Sequence, residues 1–376
     1  MPPKDEKAIE TTAKTILVIN PGSTSTRTAL YEGETVLAEQ ELVCSPDQLD
    51  RCRRVADQGD FRTGQVRAFL RAAGRTLSDC DAVAARGGPL RPVRGGVYRV
   101  NAAMLADAAG DQFIEHVSKL ACLIADHLCR GTGVPCFVVD PVSTDELADL
   151  SRISGLKELP RKALTHALNM KRTAREFARR LGRPYESLNL ITAHLGGGTS
   201  IAVHHRGRMI DSVDANGEGP FSAERSGGLR ADSLARMAVE SGKDFAALRR
   251  LLTRQGGLVS HLGTSDAREV ERRIAAGDAH ARLVYEAMAY QVAKHIGALA
   301  AAVEGQVDGI ILTGGLARSA MVTEWIRRRV AFLAPVEVVP GEAEMAALRE
   351  GVARVLAGEE SARVYPTGEA EPAERP

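Results

Sequence analysis

The residues best suited to chemistry gather at small-residue turns, with arginines and histidines close by in sequence. Gly196–Gly198 interrupts two apolar runs, 190–193 and 201–203, with His194 just before it. Consecutive glycines let successive backbone N–H groups converge on one point with no Cβ in the way, and such a concavity suits phosphate oxygens. The same arrangement occurs near the start, where Asn20-Pro-Gly-Ser23-Thr-Ser25-Thr-Arg27 follows the apolar run 16–19. A shorter version lies at 309–315, where an apolar run opens into Gly314 and Gly315 before a helical stretch. There is no Gly-x-x-x-x-Gly-Lys-Ser/Thr, and no Gly-x-Gly-x-x-Gly after a strand. The spacing predicts another device: two hairpins, one from each half of the chain, holding a nucleotide between them.

Strands must carry these turns. Residues 190–214 read as a strand pair followed by a second hairpin at Arg206-Gly207, and the early echo ends in a hairpin at Glu32-Gly33. Two short apolar runs end at Arg86 and Asp140, and ligands of open α/β sheets lie beyond the carboxyl ends of strands. Residues 97–100 and 335–340 read as further short strands. Helical patterns cover 46–74, with Val66, Phe69 and Leu70 on one face, and a stretch bearing Ile114, Val117, Leu120, Ile124 and Leu128. His116 and Lys119 would lie on the other side of that second helix. Further helices are expected over 159–180, which carries His166, and over 231–241, 245–253, 267–276, 280–304, 321–330 and 344–356. The stretch 218–228 is too polar and glycine-rich for a core. Residues 1–13 and 359–376 are expected to be disordered tails.

With 376 residues the chain has room for two domains, and its net charge of +1 carries no basic block long enough for a nucleic-acid surface. No apolar run approaches the roughly 20 residues of a membrane helix. The start of the sequence lacks the apolar core of a secretory signal, so a cytoplasmic location is expected. Six cysteines with no Cys-x-x-Cys pair are expected to be reduced, structural thiols.

Asn-Pro-Gly-Ser-Thr-Ser-Thr at 20–26 and Ala-His-Leu-Gly-Gly-Gly-Thr-Ser-Ile at 193–201 resemble motifs of the acetate kinase family, in particular its butyrate kinases. Ala-Arg-Gly-Gly at 85–88, Glu-His-Val-Ser-Lys-Leu at 115–120 and Gly-Thr-Ser-Asp-Ala-Arg-Glu-Val at 263–270 extend the likeness, which runs from about 16 to 356. The resemblance implies two similar ribonuclease-H-like (actin-like) α/β domains around a nucleotide cleft. Residues 14–165 with 340–358 would form the first domain and 166–339 the second. It implies reversible transfer of the γ-phosphoryl group of ATP to butanoate or another short-chain carboxylate, giving an acyl phosphate and ADP with Mg²⁺. A homodimer or higher homo-oligomer is expected.

A carboxylate is already an anion at neutral pH and needs no general base, so the site must bring two anions together and neutralise the transferred group. By the resemblance, Arg86 holds the carboxylate and Arg225 meets the phosphoryl group. His166 stabilises the transition state, His116 is a second pocket histidine, and Asp140 positions the metal or the arginines. Asn20, Ser23, Ser25 and Arg27 contact phosphates and metal, and His194 with Gly196, Gly197 and Gly198 cradles the phosphates from the other half. Asp266 and Arg268 border the adenosine, Gly314 and Gly315 pass beneath it, and Glu344 supports the metal with Asn20. The glycines after Arg86 are expected to leave room for an acyl tail. Arg27 and Lys119 depart from the family pattern, where lysine and asparagine are usual. A sugar or polyol kinase with Asp140 as base, and a non-catalytic ATP switch, remain alternatives.

Overall fold

The computed structural model describes residues 13–367, which divide into two units: 13–91, 96–139 and 345–367 in one, 92–95 and 140–344 in the other. The sequence placed these boundaries at 165/166 and 339/340. The first unit holds β1 (Thr15–Pro21), β2 (Ser25–Glu32), β3 (Thr35–Val43), β4 (Ala82–Arg86), β5 (Val97–Arg99) and β6 (Cys136–Val139). The second holds β7 (Asn189–Leu195), β8 (Thr199–His205), β9 (Arg208–Asp214), β10 (Gly309–Gly314) and β11 (Val336–Pro340). A last short strand, β12 (Arg363–Val364), belongs to the first.

The two sheets repeat one plan. In the first, β3-β2-β1-β4-β6 are neighbours, the three earliest strands antiparallel and β1, β4 and β6 parallel. In the second, β9-β8-β7-β10-β11 have the same order and the same directions. This is the ribonuclease-H-like plan, present twice. The first sheet is extended by β5, antiparallel to β6, and by β12, parallel to β5.

Alternation along the central strands builds a layer of helices on each face. In the second unit Ile191, Ala193, Ile310 and Leu312 face a core made with Tyr285, Met288, Val292, Ile296 and Trp325 of the helices Ala279–Ala300 and Ala320–Val330. Leu190 and Ile311 point the other way, onto Ala174 and Phe177 of the helix Ala167–Arg180. In the first unit the helix Leu120–Cys129 packs on β1, β4 and β6 and against the helix Gly59–Ala72. The closing helix, Glu344–Leu356, approaches β6 so closely that a Cβ on Gly351 would lie 2.5 Å from Val139 Cγ1.

Three expectations need correction. The helix bearing Leu120, Ile124 and Leu128 does not reach back to Ile114, which is half exposed. The His116 ring accepts from the Ser118 N–H and caps a short 3-10 turn, Val117–Lys119, so helix begins only after it. An unexpected helix, Ala102–Ala109, capped by Asn101, precedes this region. The stretch 159–165 is irregular, and helix starts at Ala167. Pro160 disfavours helix before it, and Arg161 binds Asp211 (2.9 Å), Glu218 (2.8 Å) and the Ser212 carbonyl (2.8 Å). Finally, 359–367 is ordered: β12 joins the sheet, and buried Tyr365 donates to Asp107 at 2.7 Å.

Candidate active site

In the second unit the site grows from the end of β7. His194 is buried there, with Nδ1 accepting from Asn169 Nδ2 at 3.0 Å, so the neutral ring carries its proton on Nε2, 3.0 Å from Glu342 Oε1. Asn169 also donates to Thr313 Oγ1 at 3.1 Å, tying β10 to the same point. Its own Oδ1 is buried without a hydrogen-bond partner, the kind of cost that structures carry where a group must be held in place. The His166 ring stacks on His194 with centroids 3.9 Å apart and planes within 4°, and its Nδ1 lies 2.9 Å from Ser200 Oγ.

None of Gly196–Gly198 has a positive φ, so space explains them better than dihedral freedom. A Cβ on Gly198 would sit 2.5 Å from Arg225 Cζ and 3.0 Å from its Nε: the guanidinium lies against the turn. The Gly197 carbonyl is turned away by Ser222 Oγ (2.6 Å) and the Glu224 N–H (3.2 Å). Burial lowers the Arg225 pKa and Asp214 and Glu224 oppose that, leaving it a cation. Gly314, by contrast, needs its φ of +89°, and a Cβ there would meet Leu195 N at 2.7 Å, while the space beside Gly315 is open.

Asp140, directly after β6 in sequence, is 2% exposed and has a φ of +35°, a left-handed conformation uncommon for a residue with a side chain. Its carboxylate meets Arg175 Nη1 at 3.3 Å, and that guanidinium stacks over the Tyr185 ring at 5.4 Å. Beneath lies a buried polar chain. Lys171 pairs with Glu146 at 2.9 Å, and Glu146 also accepts from the N–H groups of Gly95 and Met209, each at 2.8 Å. Burial opposes the Glu146 charge, but Lys171 and those two amides outweigh it and hold its carboxyl at about 2. Tyr185 Oη lies 2.6 Å from His204 Nδ1, and His204 Nε2 lies 2.7 Å from Thr192 Oγ1. Burial, reinforced by Lys171, holds His204 near 3, so it is a neutral core histidine.

In the first unit, Arg86 ends β4 and donates to Asn20 Oδ1, at the end of β1, over 3.3 Å. His116 Nδ1 is occupied by Ser118, which leaves Nε2 as the protonated nitrogen of the neutral ring. Lys119 is buried, donates to the Gly110 carbonyl at 2.9 Å, and has its pKa lowered by burial. Its backbone N would lie 2.6 Å from a Cβ on Gly88, so the room that Gly88 leaves is filled by Lys119 and not by an acyl tail. At the turn after β1, Ser25 Oγ donates to Glu41 at 2.6 Å, and Arg27 pairs with Glu39 at 2.8 Å. That pair is largely exposed and worth about 1 kcal/mol or less, so Arg27 can leave it for a phosphate at little cost.

Asp266 caps the helix Ala267–Ala275 through the Arg268 N–H and pairs with the exposed Arg268 side chain at 3.1 Å. Glu344 opens the closing helix. Among the described residues no cluster of three or more His, Cys, Asp or Glu is placed to hold a metal, and no helix is long and apolar enough to cross a membrane. All six cysteines are free.

Several residues of the site escaped the sequence reading. Asn169 lies one helical turn after His166 and shares its side, a periodic signal that was readable. Arg62 sits on the stripe of Val66 and Phe69, a charge on an apolar face, and is fully buried. Glu342 shows no such signal.

A model of the acetokinase family matches residues 157–365. Butyrate kinase 2 of Clostridium acetobutylicum is 42% identical over 93% of this chain and 99% of its own length. A probable butyrate kinase of Enterococcus faecalis is 44% identical over 94% and 98%. Among solved structures, Porphyromonas gingivalis acetate kinase superposes with a TM-score of 0.75 at 20% identity, over 92% of this chain and all of that one. A propionate kinase from Francisella tularensis does so with 0.71 at 19%, over 90% and 98%; these two likenesses concern the fold.

Proposed function

The chain belongs to the acetokinase family, and from that premise we propose that it is a cytoplasmic butyrate kinase. It catalyses ATP + butanoate = ADP + butanoyl phosphate, reversibly and by direct in-line transfer. The observation that carries the chemistry is the Arg225 guanidinium lying against Gly198 in a glycine turn. A cation fixed beside a phosphate cradle serves a phosphoryl group in flight.

Arg86 holds the carboxylate, and Asn20 keeps its guanidinium at the end of β4. His116 is a second histidine of the same pocket. Arg225 neutralises the equatorial oxygens of the transferred group, and His166, oriented by stacking on His194, donates to them. Asp140 does not act as a base, because Arg175 engages its carboxylate and a carboxylate acceptor has no proton to lose. It positions arginine and metal. This engagement favours a carboxyl acceptor over a sugar hydroxyl.

Ser23, Ser25 and Arg27 meet phosphates from one turn; His194 and Gly196–Gly198 meet them from the other. Asp266 and Arg268 border the adenosine, and Gly314 and Gly315 run beneath it. Mg²⁺ prefers oxygen donors, commonly one or two carboxylates beside substrate phosphates. The Asn20 Oδ1 and Glu344 carboxylate are of that kind and would hold it, where it would offset phosphate charge.

The enzyme works as a homodimer or larger homo-oligomer. Supporting this, the helices Ala231–Glu240 and Phe245–Arg254 bury no residue, and Val239 and Phe245 are 84% and 79% exposed. Hydroxylamine trapping tests the activity: an acyl phosphate gives a hydroxamate, whereas a sugar phosphate does not. Hydroxamate formed from butyrate, ATP and Mg²⁺ is the expected result. Its absence across acetate to valerate and isobutyrate refutes the proposal.

A further inference from the structure

Arg62 lies in the middle of the Gly59–Ala72 helix, on the face that also carries Val66 and Phe69, and it is 0% exposed. Its guanidinium is spent on the turn between β1 and β2. Nη1 donates to the carbonyls of Gly22 (3.0 Å) and Ser25 (2.9 Å) and to Thr26 Oγ1 (3.0 Å), and Nη2 donates to the carbonyl of Ser23 (3.1 Å). Gln58 Oε1 accepts from Nε (3.0 Å) and Nη2 (2.8 Å), fixing the plane of the fork.

A trans peptide unit points its C=O and N–H in opposite directions. With the carbonyls of Gly22 and Ser23 turned inward to Arg62, the amides of Ser23 and Thr24 must face outward. Neither amide donates to another backbone group. The second turn has a neutral counterpart, since Ser222 and the Glu224 amide hold the Gly197 carbonyl from behind. The carbonyl-capped face of each turn is closed, and the N–H face is the one left for an anion.

We propose that Arg62 is a positioning residue: it sets the polarity of the first turn, so that the Ser23 and Thr24 amides meet a phosphate of the nucleotide. The inference rests on the kinase reading above. Arg62 touches no substrate. A guanidinium is required because several carbonyls spread along the turn must be reached at once, which a single ammonium cannot do.

The test is steady-state kinetics of the full chain with ATP and butyrate varied separately, using hydroxamate detection, for wild type, Arg62→Lys and Gln58→Met. Circular dichroism checks that each variant is folded. In Arg62→Lys the KM for ATP should rise about tenfold, the loss of one charged hydrogen bond, with the KM for butyrate within about threefold of wild type. A general loosening of the unit would move both constants together. If Arg62→Lys does not fold, Gln58→Met decides, with an expected rise of about threefold in the KM for ATP alone. An unchanged KM for ATP in a folded Arg62→Lys, or in Gln58→Met where that variant decides, overturns the role of Arg62 and leaves the kinase reading standing. Equal rises in both constants do the same. A wild type that makes no hydroxamate overturns the kinase reading, and this inference with it.

Discussion

Replacing Gly198 with alanine should separate stability from activity. The position has no positive φ, so alanine needs no strained backbone, and loss of unfolded-state freedom favours the variant by about 0.4–1 kcal/mol. The new methyl would stand 2.5 Å from Arg225 Cζ, against about 3.5 Å for ordinary carbon contact. The long arginine side chain must therefore retreat by about 1 Å, which misplacement of a catalytic group makes worth about a hundredfold in rate. That is about 2.7 kcal/mol of transition-state stabilisation. The loss should fall on kcat, because Arg225 is assigned to the group in flight, with the KM for butyrate little changed. Gly197→Ala is a comparison and not a silent control, since the turn is assigned to the phosphates. Its Cβ would meet Glu224 at 3.5 Å, an ordinary contact that leaves Arg225 in place, so any loss should fall on the KM for ATP and not on kcat. The assay is hydroxamate formation with a thermal melt of each protein. A Gly198→Ala enzyme within about threefold of wild-type kcat, or a Gly197→Ala enzyme equally impaired in kcat, refutes the reasoning.

Arg86→Ala and Arg225→Ala should each lower kcat/KM at least about tenfold, since a charged hydrogen bond is worth about 1.5–3 kcal/mol; kinetics on proteins with unchanged circular dichroism checks this. Lys171→Met leaves Glu146 buried without its cation and should cost about 3–5 kcal/mol in urea unfolding, partly recovered by adding Glu146→Gln. Stability should also fall with acid. His204 titrates near 3 when folded and near 6.5 when unfolded, so the unfolded chain binds the extra proton between those values. The free energy of unfolding then drops by about 1.4 kcal/mol per pH unit below 6.5. Glu146, held at about 2, adds its own loss from about 4.5 downward. Unfolding free energies that stay flat from pH 7 to 4 would contradict this account. Among substrates, two further methylenes at about 0.8 kcal/mol each favour butyrate over acetate roughly fifteenfold in kcat/KM, and a profile peaking at acetate would reject the butyrate assignment.

The parts of this site that were legible in sequence are those with a local signature. Glycine runs mark Gly196–Gly198 and Gly314-Gly315, and short apolar runs put Arg86 and Asp140 at strand ends. What escaped depends on partners far along the chain. Arg62 reaches a turn some forty residues earlier, and only that distant set of carbonyls explains a charge on an apolar stripe. Glu342 is recognised by its contact with His194, which composition does not announce. The break before His116 was missed because histidine is not a usual helix cap. Gly88 is expected from sequence to make room for an acyl tail, but the space it leaves is taken by Lys119, which comes from another element.

The polar stretch after the closing helix carries a consequence for anyone shortening this chain. Its composition invites a cut at 358, just past the last helical residue. Such a cut would discard Tyr365, whose hydroxyl is shared by buried Asp107 and the Arg91 amide, and whose carbonyl receives Asn101 Nδ2 at 2.9 Å. It would also strip β5 of its outer neighbour, turning an interior strand into an open edge ready to pair with another chain. A trimmed protein would fail first by clumping, and the activity lost with it would be easily misattributed to the active site.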